Sequence, residues 1–109
     1  MKENKILFGE YENYLFFKLV GETTMRNVFS LKKTIKDIDI FQFDYIIIDF
    51  SQSLYLDSTS LGIIASLGMK LNKHFGEKRI IFVGFSEELK ESFFTFGFDR
   101  IVITDLELD

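Results

Sequence analysis

The sequence predicts an α/β domain built on a mixed, largely parallel sheet, and the order of its segments is the main reason. Strand-like and helix-like segments follow one another as ββαβαβαβ, and parallel neighbours need the helical crossovers that this alternation supplies. The run Tyr45–Ile48 is apolar without alternation, which is typical of a central strand covered on both faces. The two opening strands form a hairpin, which makes the sheet mixed. We expect about three to four helices packed on this sheet.

Composition indicates one domain, residues 1–109, with one core. The chain is 47% hydrophobic and holds 14 phenylalanines, and its length is close to the commonest domain size. Its net charge of −4 argues against direct nucleic-acid binding, which needs a concentrated basic surface. No run approaches the roughly 18 apolar residues of a membrane span. No signal peptide is recognisable, so we expect a cytoplasmic protein without membrane contact.

The first part of the chain predicts a hairpin and a helix. Two short segments rich in aromatic and β-branched residues form the hairpin: Lys5–Tyr11 and Tyr14–Val20. Glu12-Asn13 supplies the turn between them, and Gly21 ends the second strand. Thr23 or Thr24 then caps a helix that runs from about Met25 to Ile38.

The middle of the chain predicts a buried strand followed by a long helix. The strand is Phe43–Phe50, and a loop over Ser51–Leu56 leads to the helix. The helix begins behind Asp57, runs to about Phe75 and is closed by Gly76. Apolar residues at steps of three and four predict its buried stripe: Leu61, Ile64, Gly68, Leu71 and Phe75.

A second strand–helix pair and a short last strand complete the pattern. The apolar strand is Arg79–Phe85, and Ser86 starts a helix with acidic residues in its first turn. Gly97 ends that helix, Arg100–Ile103 forms the last strand, and an acidic tail covers Thr104–Asp109. No linker or repeat interrupts the order, so the chain reads as one domain.

The junction before the long helix carries the most informative residues. Three consecutive hydroxyls, Ser58, Thr59 and Ser60, follow Asp57, at a place where functional groups collect in open α/β sheets. The same residue types are also ordinary helix caps. Gly62 lies inside the helix, where a glycine costs about 1 kcal/mol relative to alanine, and this suggests close approach by backbone or by a partner.

This junction resembles the STAS domain of bacterial anti-anti-sigma factors. An apolar strand and a short loop lead to Asp57–Gly62, which is similar to the family's Asp-Ser-Ser/Thr-Gly-Leu-Gly. The resemblance covers nearly the whole chain, including Gly21-Glu22, where the family commonly has Gly-Glu-Leu-Asp, and Gly97–Ile101. Two positions depart from the family pattern, because its first motif glycine is Ser60 here and its aspartate is Thr24.

The resemblance implies a partner switch. The unphosphorylated protein binds an anti-sigma factor that is also a serine kinase and so frees a sigma factor. The kinase phosphorylates the serine after the aspartate, which is Ser58 here, and a metal-dependent serine phosphatase reverses this. Two sets of neighbours are also expected. Asp57, which caps the helix and orients the Ser58 hydroxyl, lies near the phosphorylation site together with Thr59 and with Asp49 at the end of the central strand. The resemblance implies that Glu22, Ser60, Leu61 and Gly62 belong to the partner-binding surface.

Other interpretations stay open at this point. Ser58 serves capping alone, or Thr59 is the main acceptor, or Asp49 is a strand-end acid exposed to water. The domain could also serve another STAS system without sigma-factor control, such as a stressosome-like scaffold or an accessory subunit of a transporter. An enzyme is disfavoured, because the single histidine, His74, lies at the far end of its helix and acid–base catalysis near neutral pH most often uses histidine. We expect no catalytic residue, metal or cofactor.

Overall fold

A computed structural model describes residues 3–84 and 86–104 and, within them, every side chain but that of Glu88. Five strands and three α-helices lie in these residues, together with 3₁₀ turns at Ile40–Gln42 and Phe98–Arg100. The strands are β1 Lys5–Tyr11, β2 Tyr14–Thr23, β3 Tyr45–Leu56, β4 Ile80–Val83 and β5 Ile103–Thr104. The helices are α1 Val28–Asp37, α2 Ser58–Phe75 and α3 Glu87–Thr95.

The strands form a single mixed sheet in the order β1-β2-β3-β4-β5. β1 and β2 pair as an antiparallel hairpin, whereas β2, β3, β4 and β5 pair in parallel. Each parallel step is made through a helix, as the alternation of elements requires. The predicted fold class is confirmed.

The core lies on one face of the sheet. On β3 the alternate residues Ile46, Ile48 and Phe50 are buried, while Tyr45 and Ile47 between them are only partly buried. All three helices contribute to the same apolar cluster: Val28 and Leu31 from α1, Ile64, Leu67 and Leu71 from α2, and Phe93 from α3. The expectation that β3 is covered on both faces is therefore wrong, because within the described residues the helices cover only one.

Both central strands run further than predicted. β2 continues through Gly21 to Thr23, and the segment Ser51–Leu56, expected as a loop, is the second half of β3 and pairs with it. Gly21 makes this possible, since it adopts φ +75° at an irregularity in the pairing. A Cβ at Gly21 would also collide with the carbonyl oxygen of Glu3.

α1 begins later than predicted, at Val28 rather than Met25. The backbone oxygen of Thr24 accepts hydrogen bonds from the amides of Asn27 and Val28, which closes a turn before the helix. The side-chain oxygen of Asn27 accepts from the Thr24 amide at 2.8 Å and holds this turn.

The last strand also begins later than predicted. Arg100, which was predicted as its first residue, lies in a 3₁₀ turn.

α2 matches its prediction closely. It runs from Ser58 to Phe75, Asp57 is its N-cap, and Gly76 ends it in the left-handed conformation. Ile64, Gly68 and Leu71 are buried as predicted, Leu61 and Phe75 are half-buried, and Ser60 and Leu67 complete the inner face.

Two predictions concern residues outside the described part of the chain. Phe85 was predicted at the end of a strand, and residues 105–109 contain most of the predicted acidic tail. No helix in the described part of the chain has both the length and the apolar character needed to cross a bilayer.

Candidate functional site

The ends of β2 and β3 meet at the start of α2. The backbone oxygen of Thr23, the last residue of β2, accepts a hydrogen bond from the amide of Asp57 at 3.1 Å. The same oxygen accepts from the hydroxyl of Ser60 at 3.0 Å. The carboxyl ends of the parallel strands β2 and β3 lie at one edge of the sheet. The two hydrogen bonds attach the end of β2 to the first turn of α2.

Asp57 holds this junction together through both carboxylate oxygens. Its Oδ1 accepts from the amide and from the hydroxyl of Ser60, each at 2.8 Å. Its Oδ2 accepts from the amide of Met25 at 2.8 Å. These hydrogen bonds, with the Ser60 amide first, hold the pKa of Asp57 below its ordinary value. The predicted cap is confirmed, but the hydroxyl that Asp57 orients is that of Ser60 and not that of Ser58.

Ser58 and Thr59 are both exposed at the first turn of α2. Neither hydroxyl makes a hydrogen bond to any described residue, so both are accessible to a macromolecule. The helix N-terminus favours negative charge, so a phosphate is compatible with either position. The adjacent Asp57 carboxylate accepts three described hydrogen bonds, from the Met25 amide and from the amide and hydroxyl of Ser60, and none of them comes from Ser58 or Thr59.

The prediction that Ser60 lies on the partner-facing surface is wrong. Ser60 has no exposed surface, and its hydroxyl bridges the Thr23 oxygen and the Asp57 carboxylate. Where the related motif has glycine, this chain has a hydroxyl that links the end of β2 to the N-cap of α2. Thr24, the other departure, is half-buried and belongs to the turn before α1.

The other residues expected at the partner surface differ in exposure. Gly62 is exposed, and a Cβ placed on it would meet no atom within 4 Å, so no other part of the described chain requires a glycine there. Leu61 is half-buried against the core. Glu22 is exposed, and its amide donates to the side chain of Asn4 at 2.9 Å, so its backbone position is fixed.

Asp49 is not near the phosphorylation site. Because β3 continues to Leu56, Asp49 lies within the strand, eight residues before Asp57 and roughly 26 Å away along an extended chain. Its Oδ1 accepts from the amide of Ser51 at 2.8 Å. It lies beside Lys18 of β2 on the uncovered face of the sheet. The prediction was wrong because it ended the strand at Phe50.

Three exposed apolar side chains lie in the segments that lead into the junction, and they were not singled out from the sequence. Met25 is 59% exposed in the loop after β2, and Leu54 and Tyr55 are 61% and 53% exposed near the end of β3. Tyr55 pairs in register with Glu22. The apolar run Leu54-Tyr55-Leu56 was visible in the sequence, but the exposure of Leu54 and Tyr55 depends on the pairing of the two long strands.

A groove of about 650 Å³ runs between α1 and α2 and begins at Ser58 and Thr59. Its floor is apolar, with Ile35 and Ile63 among its lining residues. Three lysines, one or more from each helix, also line it: Lys32, Lys36 and Lys70. Within the described residues, no group of three or more His, Cys, Asp or Glu side chains could hold a metal ion.

Comparison with known proteins agrees with this architecture. A sequence model of the STAS domain family matches residues 5–109. An anti-sigma factor antagonist from Mycobacterium paratuberculosis is similar in structure, with a TM-score of 0.76 and 20% identity over 94% of this chain and 85% of that chain. The phosphorylated form of the Bacillus cell fate determinant SpoIIAA gives a TM-score of 0.74 and 19% identity, over 92% and 90% of the two chains. At these identities the likeness shows the fold.

The same fold also occurs within a membrane transporter. The murine anion transporter Slc26a9 is similar over 87% of this chain but only 16% of its own, with a TM-score of 0.65 and 15% identity. No curated protein matches the sequence.

Proposed function

Because the chain belongs to the STAS domain family, we propose that it is a phosphorylation-switched binding protein of the anti-sigma factor antagonist type. In its unphosphorylated form it sequesters an anti-sigma factor that is also a serine kinase, and this frees a sigma factor. The kinase ends the interaction by phosphorylating Ser58, and a serine phosphatase restores it. The protein works in the cytoplasm and regulates transcription through its partners, without catalysis of its own.

The observation that carries the proposal is the exposed, unbonded hydroxyl of Ser58 at the first turn of α2. The positive end of the helix stabilises a nearby anion by about 0.3–1 kcal/mol at an exposed site. A phosphate on Ser58 is therefore tolerated by the fold, and the chain can carry it without unfolding.

The same phosphate opposes the binding of a partner protein. It adds about −1.5 to −2 charges at neutral pH, directly beside the ionised carboxylate of Asp57. An interface that closes over Ser58 must then desolvate two neighbouring negative groups, which is unfavourable unless the partner offers matching cations. The charge therefore ends binding while the fold stays intact.

The surroundings of Ser58 support a protein partner. Met25, Leu54 and Tyr55 expose apolar surface near the junction, and the groove between α1 and α2 begins at Ser58 and Thr59. Exposed apolar side chains around a modifiable polar group are the composition expected of an interface core and its rim. We propose that these three residues, with Glu22 and Gly62, contact the partner.

The second candidate is a STAS domain that works in another assembly, with Ser58 serving only the helix terminus. The observation in its favour is the similarity to part of an anion transporter. The two candidates differ in their partners and in the response to charge at position 58.

Affinity capture in the organism of origin tests the proposal. The tagged chain, Ser58→Ala and Ser58→Asp are each isolated, and co-purifying proteins and phosphorylation sites are identified by mass spectrometry. We expect the wild type and Ser58→Ala to retain an ATPase of the histidine-kinase-like class and Ser58→Asp to lose it. We also expect a single phosphate on Ser58 of the wild type, with Thr59 and Ser60 unmodified.

The control is Ser92→Asp, which makes the same change at an exposed serine of α3. It should retain the kinase. If Ser58→Asp captures the same proteins as the wild type, the switch is refuted. Capture of transporter subunits by all variants, with Ser58 unphosphorylated, would favour the second candidate.

A further inference from the structure

The uncovered face of the sheet is apolar although most of its strands are parallel. Within the described residues the helices cover the opposite face, and this one exposes part of Phe16, Ile47 and Ile81. None of these side chains belongs to the buried cluster or packs against it. Parallel sheets occur almost only where both faces are covered, so this face fits a further layer.

The pairing register forms two rows at the centre of the face, because directly paired residues of neighbouring strands point to the same side. From β1 to β4 the first row is Leu7, Lys18, Asp49 and Val83. The second row, from β1 to β5, is Gly9, Phe16, Ile47, Ile81 and Ile103. The first row thus places a cation beside an anion at its centre, between apolar ends.

Each row is complementary to the same row of a second copy of the chain. A two-fold axis along the strands, between β2 and β3, places β2 over β3 of a second copy and β1 over its β4. Lys18 then lies over the second copy's Asp49, and Asp49 over its Lys18. In the other row Phe16 faces Ile47 of the second copy, and Gly9 faces its Ile81.

The relief of the surface agrees with this arrangement. A shallow depression of about 270 Å³ lies at Gly9, with Leu7, Phe16, Lys18 and Asp49 in its lining. A Cβ at Gly9 would meet no atom within 4 Å, so the depression is open. In the two-fold arrangement this depression lies opposite Ile81 of the second copy, which puts a large residue against the smallest one.

We propose that this sheet face is the interface of a homodimer in which Lys18 and Asp49 of each copy pair with Asp49 and Lys18 of the other. The described ion pairs include neither side chain, so both are available to a second copy. The overlapping part of the face measures roughly 19 by 23 Å, an area of roughly 440 Å². This area is smaller than the approximately 800 Å² that each partner buries in a standard interface. We therefore expect a dissociation constant in the micromolar range.

Charge exchange tests the pairing. Sedimentation equilibrium at low salt should show concentration-dependent dimers of the wild-type chain. Lys18→Glu and Asp49→Lys each place like charges opposite one another twice, so each alone should dimerise at least about tenfold more weakly. An equimolar mixture of the two variants restores both opposite-charge pairs and should form heterodimers.

Lys33→Glu is the matched control, since it makes the same charge change on exposed α1 and should dimerise like the wild type. A wild type that stays monomeric, single variants that dimerise normally, or a mixture of folded variants that stays monomeric would each overturn the proposal. If Asp49→Lys fails to fold after losing its bond to the Ser51 amide, comparison of Lys18→Glu with Lys33→Glu still decides. Ser58→Asp should dimerise normally, so this result is separate from the proposed switch.

Discussion

The three hydroxyls at the start of α2 have different environments because successive helical residues point about 100° apart. Ser60 turns towards the sheet and is buried, whereas Ser58 and Thr59 face the solvent. Ser60 lies four residues before the buried Ile64 and therefore on the same face of the helix. Only the structure shows that the Ser60 hydroxyl reaches the end of β2, because that contact joins residues far apart in the chain.

Ser60→Ala should lower the free energy of unfolding by about 1–3 kcal/mol, because it removes the hydrogen bonds of a buried hydroxyl to the Thr23 oxygen and to the charged Asp57 carboxylate. Ser58→Ala removes a hydroxyl that bonds to no described residue, and it should change stability by no more than about 0.5 kcal/mol. Urea denaturation of both variants measures the difference. Equal effects at the two positions would contradict the assigned roles.

Asp57→Asn keeps a capping side chain but removes the charge and one acceptor oxygen, because the asparagine amide nitrogen cannot accept from the Met25 amide. The lowered pKa of Asp57 means that its carboxylate stabilises the fold fully above its ordinary pKa of 3.8. That contribution disappears as pH falls through the lower pKa of the folded state. The wild type should therefore be more stable than Asp57→Asn at pH 7, and the difference between the two melting temperatures should narrow as the pH falls below 3.8. A difference that is independent of pH would contradict this.

At the scale of elements, the sequence predicted what local patterns determine and missed what pairing determines. The limits of α2 followed from Asp57 and Gly76, whose capping roles are local. The polar start of the segment Ser51–Leu56 reads as a loop, and it becomes a strand only because β2 continues beside it. The exposed Tyr55 and the true position of Asp49 both depend on that long-range pairing.

Gly21→Ala tests the irregularity that lets β2 continue. The left-handed conformation and the nearby Glu3 carbonyl both oppose a side chain, so we expect a loss of about 1–3 kcal/mol in the free energy of unfolding. Gly62→Ala is the control, because it adds a methyl group in open space on a helix and should stabilise by up to about 1 kcal/mol. Thermal denaturation compares them, and a neutral Gly21→Ala would show that the strand does not depend on this glycine.

On the scale of the whole molecule, the two faces of the sheet have separate uses. The helical face carries the core and positions Ser58 at its edge, whereas the other face is open and apolar. The apolar run of β3 correctly predicted a central strand, but a run of this kind cannot reveal whether its second face is covered by the same chain. A dimer through that face leaves the start of α2 accessible, so switching and self-association are independent in this account.

The affinity of the purified kinase partner for the chain, with and without phosphate on Ser58, tests the central claim most directly. Isothermal titration should show binding to the unphosphorylated chain and a dissociation constant at least about 100-fold larger after complete phosphorylation, since buried like charges oppose association. The melting temperature of the phosphorylated chain should stay within about 5 °C of the unmodified one, because the helix N-terminus tolerates the charge. Equal affinities for the two forms, with phosphorylation at Ser58 verified by mass spectrometry, would contradict the account.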